Sequence, residues 1–263
     1  MEILGYIASV LIGVTLGLLG GGGSILTVPV MVYLFAVSPQ LATSYSLFVV
    51  GTSSLVGVLA RLRTGVVKSE TALLFGATSI ITVFVTRKFI IPALPKTLFY
   101  IGEFAVTESL ATMILFAVLM LMSATSMIRN YQKNIKPQTQ LKVNHSRLAI
   151  YGIGIGLVTG FLGAGGGFLI IPTLVLLCGL TMKEAVGTSL LIIAANSLIG
   201  FMADIGHFDI NWKLLATVTS LAVGGILIGS QIAKSINNEK LKKSFGWFVL
   251  IMGIYIMIKE LFL

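Results

Sequence analysis

Hydrophobic residues run along this chain in blocks separated by short polar stretches. The blocks fall at 3–37, 42–60, 71–94, 104–128, 147–182, 185–203, 212–235 and 245–263. Most have the length that an α-helix needs to cross a bilayer, about 20 apolar residues. The first and fifth are too long for one crossing, and a glycine run cuts each of them. Dividing there gives 3–19 with 24–37 and 147–162 with 167–181, so eight blocks predict ten helical pieces. The start, Met1-Glu2-Ile3-Leu4, carries no Lys or Arg, so the first segment reads as a retained helix rather than a secretory leader. The longest polar stretch, Asn130 to Ser146, reads as a linker between a first transmembrane repeat at 1–129 and a second at 147–263.

Composition narrows the class. Of 263 residues, 56% are hydrophobic and only 10% are charged. A soluble domain has about a quarter charged residues, so this chain could not cover a globular surface with polar groups. Disorder is excluded by the excess of apolar side chains. The single cysteine, Cys178, excludes a disulfide framework. What remains is an all-α polytopic membrane protein without an extramembrane domain.

The two halves repeat each other. Gly17-Leu18-Leu19-Gly20-Gly21-Gly22-Gly23-Ser24-Ile25-Leu26-Thr27-Val28-Pro29 aligns with Gly160 through Pro172 at an offset of 143, with seven of thirteen pairs identical. The offset continues without a gap through Ala42 with Ala185, Ser46 with Ser189, Ser54 with Ser197 and Gly57 with Gly200. Aliphatic matches mean little between apolar helices. A glycine run followed by a proline at fixed distance is specific.

Charge suggests orientation, because Lys and Arg gather on the cytoplasmic side. With eight simple spans the basic residues divide ten against eight; with five pieces per half they divide thirteen against five. An odd number per half inverts the second repeat relative to the first and places both termini outside, with the basic loops cytoplasmic. Parity alone supports this, so each glycine-split pair is free either to cross or to re-enter. The net charge of +9 follows from this topology, and nucleic-acid binding is unnecessary.

Four glycines in a row, Gly20 to Gly23, end a helix and bare its backbone. In lipid such backbone is tolerated only against protein or a water-filled cavity. Helices restarting at Ser24 and Gly167 would present unpaired N–H groups and a positive dipole end, an anion site without a formal charge. Pro29 and Pro172 would lie in the first turns of the restarted helices, where a missing donor costs least. Close helix packing is the competing explanation, favoured for the spaced glycines Gly13, Gly17, Gly57, Gly152, Gly154 and Gly156.

Polar clusters follow each break: Thr43, Ser44, Tyr45, Ser46, Thr52, Ser53 and Ser54, then Gly187, Thr188, Ser189, Asn196 and Ser197. The candidate substrate-binding set is therefore Gly20, Gly21, Gly22, Gly23, Ser24, Thr43, Ser46, Gly163, Gly165, Gly166, Gly167, Gly187, Thr188, Ser189 and Asn196. Hydroxyls also bond back to their own helix carbonyls, and an amide such as Asn196 also serves as an interhelical bond. Apart from Glu108 near one end, no charge is expected at the centre of a segment, so no buried proton relay is legible. Arg61 and Arg63 end a helix beside the first cluster and read as orienting charges. Asp204, His207 and Asp209 read as a short outer loop with too few ligands for a metal. No nucleophile–base pair appears, and Gly20–Gly23 lacks the Lys-Ser/Thr of a nucleotide loop, so neither an enzyme nor a cofactor is indicated.

At these glycine–proline repeats the chain resembles the sulfite exporter TauE/SafE family of small bacterial membrane proteins. Gly17 through Pro29, Ala42 to Ser46, Gly160 through Pro172 and Ala185-Val186-Gly187-Thr188-Ser189 carry the likeness, which covers nearly the whole chain. It implies a plasma-membrane transporter of small sulfur-containing or organic anions such as sulfite, sulfoacetate, thiosulfate or sulfonates, with export favoured. The first half departs from the pattern at Thr43-Ser44-Tyr45, and 71–94 lacks counterparts of Gly224, Gly225 and Gly229. The halves are therefore expected to contribute unequally to any site. An anion channel and a non-transporting scaffold are the rival readings. The anion, the coupling ion and whether the chain forms a homo-oligomer stay open at this stage.

Overall fold

A computed structural model of the chain describes residues 2–62, 67–95, 97–101, 104–129, 145–233 and 238–262. In the first half, α1 (Glu2–Leu19) passes through a 3-10 turn (Gly20–Leu26) into the short α2 (Thr27–Tyr33), followed by α3 (Pro39–Leu62) and α4 (Ser69–Val85). A π-helical turn (Thr86–Ile90) and α5 (Ile91–Ala93) prolong α4. An antiparallel hairpin, β1 (Thr97–Ile101) and β2 (Phe104–Thr107), leads into α6 (Glu108–Arg129). The second half has α7 (His145–Leu162), α8 (Gly167–Leu177), α9 (Met182–Asp204), α10 (Trp212–Ile232) and α11 (Asn238–Phe262).

Five of these helices are long and apolar enough to cross a bilayer, over Pro39–Leu59, Glu70–Ala93, Glu108–Thr125, Glu184–Asp204 and Trp212–Ile232. The molecule is inside-out by the standard of a soluble domain. Ile3, Leu73, Ile81, Ile150, Met202 and Ile251 are exposed, whereas Ser46, Ser53, Ser54, Ser79, Thr188 and Ser197 are buried. Aliphatic exposure on this scale suits contact with lipid chains.

Several boundaries differ from the sequence expectation. Phe104–Thr107 is strand rather than helix, since its aromatic and β-branched residues pair with Thr97–Ile101. The Leu110 N–H then donates to Thr107 Oγ1 (3.2 Å) at the start of α6. The helix after the first glycine run restarts at Thr27, not Ser24, because the 3-10 turn extends through Leu26. Pro29 is in the first turn of α2, but Pro172 lies inside α8 rather than in its first turn. Helix α11 begins at Asn238, so hydropathy missed its polar first turns. Arg63 and most of the expected linker, 130–144, lie outside the described residues.

Packing exchanges elements between the halves. Helix α1 packs on α10, and α7 packs on α4; α3 pairs with α9, and α6 with α11. The contacts repeat at residue level. A Cβ on Gly13 would run into the Ala222 carbonyl, and one on Gly156 would run into the Ser79 carbonyl. Both partners are displaced by the same 143 residues (156 − 13 and 222 − 79). Absent side chains let these backbones approach.

Each glycine-split pair is a hairpin. The ring of Phe35, just after α2, lies edge-on to Tyr6 near the start of α1, with centroids 5.3 Å apart. In the second half, Leu148 near the start of α7 shares a buried cluster with Cys178, just after α8. Tyr33 donates to Glu260 near the end of α11 (2.9 Å), so both chain termini sit at one end of the bundle, here the terminal end. The opposite, linker end holds the start of α9, where Glu184 pairs with Lys68 (2.9 Å). A capping box between Thr181 and Glu184 fixes that helix start.

Candidate functional site

The glycine runs meet at mid-depth. Val50 lies halfway along α3 and Ile193 halfway along α9. A Cβ on Gly165 would stand 2.8 Å from Val50 Cγ1, 2.9 Å from Ser197 Oγ and 3.1 Å from Ile193 Cγ2. Gly21 touches Ile193 and, backbone to backbone, Gly167. The two breaks therefore close against each other between the central helices.

Glycine is required where each hairpin turns. Gly20 (φ +67°) and Gly163 (φ +64°) occupy equivalent positions in the left-handed region that other residues rarely adopt. Gly20 faces Val186, and Gly163 faces Thr43, again equivalent under the offset. Beyond these points the breaks differ. In the first, Gly22 and Gly23 lie inside the 3-10 turn, whose i→i+3 bonds occupy backbone donors; Ser24 Oγ donates to the Gly21 carbonyl (2.7 Å). In the second, Gly166 is left-handed, and its carbonyl accepts from both Leu169 and Ile170 (2.9 Å each). The Gly167 and Phe168 amides open α8 ahead of any intrahelical acceptor.

The polar candidates separate into layers. At the linker end, Thr188 Oγ1 accepts the Lys68 N–H (3.0 Å), and Ser189 donates back to the Val186 carbonyl (3.0 Å). Gly187, next to them in α9, is buried. At mid-depth, Asn196 Nδ2 donates to Ser79 Oγ on α4 (2.7 Å), and its neighbour Ser197 is the residue that borders Gly165. Ser46, Ser53, Ser54, Ser197 and the Asn196 Oδ1 are buried without a hydrogen-bond partner among the described residues. A dry interior normally satisfies such groups.

At the terminal end is a site the sequence did not announce. Arg87, on the π-helical turn, is 1% exposed and pairs with Asp204 at the end of α9 (2.9 Å). Its Nη1 also donates to Thr43 Oγ1 (3.1 Å), and its Nη2 lies against Gly163. Nε and Nη2 have no hydrogen-bond partner among the described residues. Arg87, Thr43 and Glu108 line a small recess with Phe161 and Phe208, where Gln40 Nε2 donates to Glu108 Oε2 (2.9 Å). One expectation is corrected here: Asp204 belongs to the buried end of α9 rather than to the outer loop, and it meets a second full charge, Arg87, buried near the end of its own span. His207 and Asp209 remain exposed in that loop. The available signal was Arg87 inside the apolar block 71–94; flanking Val, Phe and Ile residues masked it in the window average. Ionisable groups at such depth mark substrate or ion pathways more often than packing, and π-turns recur at functional positions.

A family model described as "Sulfite exporter TauE/SafE" matches residues 5–256. A "Probable membrane transporter protein" of Xylella fastidiosa (strain 9a5c) is 30% identical over 94% of this chain and 91% of its own. The "Probable membrane transporter protein YunE" of Bacillus subtilis is 28% identical, covering 98% of this chain and 94% of its own. No solved structure matches the chain.

Proposed function

Because the chain belongs to the sulfite exporter TauE/SafE family and is a multi-pass membrane protein of transporter type, we propose that it is a secondary transporter of a small sulfur-containing or carboxylate anion, with export favoured. The observation that carries this reading is the meeting of Gly21 with Gly167 at mid-depth, beside buried hydroxyls that lack partners. Substrate would be held between the two breaks by backbone amides, by Ser46 and Ser197, and by the Asn196 amide. Thr43 and Thr188 would stand at the two approaches.

The halves, 1–129 and 147–263 joined by a cytoplasmic linker, act as inverted repeats. The start of α3 lies with the end of α9 at Arg87 and Asp204, while the start of α9 lies with the start of α4 at Lys68 and Glu184. Such opposed repeats rock against each other around a midplane site. Gly21 and Gly167 would part to admit the anion. Thirteen basic residues against five support a linker end in the cytoplasm and both termini outside.

The test is reconstitution in proteoliposomes with sulfite, thiosulfate, taurine, sulfoacetate and simple carboxylates. Saturable uptake with counterflow is expected for at least one of them. Linear, non-exchanging flux would replace the transporter with a channel. No flux, together with no anion-dependent change in melting temperature, would leave a scaffold.

A further inference from the structure

We propose that the Nε–Nη2 edge of Arg87 is the docking point for the substrate's oxyanion at the terminal end, and that this site selects monovalent over divalent anions. The inference rests on the transporter reading above and names the residue that first takes the anion. Nη1 is spent on Asp204 and Thr43, which fixes the guanidinium plane. The opposite edge offers two parallel N–H groups in a buried setting, both without partners among the described residues. That edge matches two oxygens of a sulfonate, hydrogen sulfite or carboxylate in bidentate geometry. Arg87 also lines the recess, and its Nη2 abuts Gly163, where the second break begins. An anion on this edge therefore lies between the recess and the glycine break.

Selectivity follows from the surrounding charges. Asp204 already balances Arg87, and Glu108 adds a second carboxylate on the recess wall. The two carboxylates leave the cluster with one negative charge in excess, so the Nε–Nη2 hydrogen bonds must outweigh a repulsion that a dianion meets twice over where water is scarce.

Methanesulfonate and sulfate serve as probes, on the full chain in detergent and in proteoliposomes. Methanesulfonate should raise the melting temperature of the wild type and drive counterflow, and sulfate should do neither. Arg87→Lys keeps the charge but loses the fork; KM should rise at least tenfold with a smaller change in kcat. The double variant Arg87→Met with Asp204→Leu removes both charges, so it folds without a buried unpaired ion, and it should lose the methanesulfonate-dependent shift. Glu108→Gln should let sulfate bind. The proposal falls if the double variant keeps the shift, if Arg87→Lys keeps the wild-type KM, or if sulfate competes as well as methanesulfonate. Wild-type protein that exchanges no anion would overturn the transporter reading itself; exchange with an unchanged Arg87→Lys profile would overturn only the role of Arg87.

Discussion

Gly21 and Gly167 touch backbone to backbone although they stand 146 positions apart in the chain (167 − 21). No side chain fits between. Gly21→Ala or Gly167→Ala forces the two hairpins apart, and overpacking of this kind costs about 1–3 kcal/mol. Each variant should melt earlier in detergent and lose flux. Gly154→Ala and Gly224→Ala are the controls, since nothing lies within 4 Å of their added Cβ atoms. They should change stability by less than about 0.5 kcal/mol.

The repeated crossings should fail alike. Gly13 meets the Ala222 carbonyl on α10, and Gly156 meets the Ser79 carbonyl on α4. Gly13→Leu and Gly156→Leu should each disrupt one crossing and lower the yield of folded protein to a similar extent. Size-exclusion profiles in mild detergent measure this. A large loss for one variant with none for the other would show that the crossings are not equivalent.

Asn196 and Ser79 form a polar tie between α9 and α4 at mid-depth (2.7 Å). Hydrogen bonds between membrane helices are worth about 0.6 kcal/mol on average and up to about 1.7. A double-mutant cycle with Asn196→Leu and Ser79→Ala, read by SDS-induced unfolding, should return a coupling in that range. Transport should fall more than stability in Asn196→Leu, because its Oδ1 lacks a partner among the described residues.

The linker end pairs a contact that salt weakens with one that it does not. The Lys68–Glu184 ion pair is partly exposed, so Lys68→Ala should cost less than about 1 kcal/mol, and salt should erase the difference. Thr188→Val removes the acceptor of the part-buried Lys68 N–H and should cost about 1 kcal/mol, with no salt dependence. Thr181→Ala breaks the capping box for about 1 kcal/mol. Equilibrium unfolding at low and high salt measures all three.

The helix ends before the glycine runs, at Leu19 and Leu162, were legible because stacked glycines interrupt a hydropathy profile unmistakably. Gly20 and Gly163 could be paired by their offset before any coordinates, and the paired positive φ angles follow. The 3-10 turn was not legible, since Ser24 and Gly167 look alike as helix starts. Arg87 escaped because a window average dilutes Arg87 and its neighbour Lys88 among Val83, Phe84, Val85, Phe89 and Ile90, and the sequence does not say which of the two is buried. Its partner Asp204 stands 117 positions away, and only the crossing of α4 with α9 joins them. Sequence spacing gives no sign of that contact.

The exchanged packing has a consequence for biogenesis. Helix α1 finds its main contact, α10, only after residues 212–232 have been synthesised. Until then the groove at Gly13 and Gly17 is open, and a ribosome-bound first half carries a helix whose largest packing face is uncovered. Severing the chain between the halves should therefore yield two fragments that accumulate only when co-expressed.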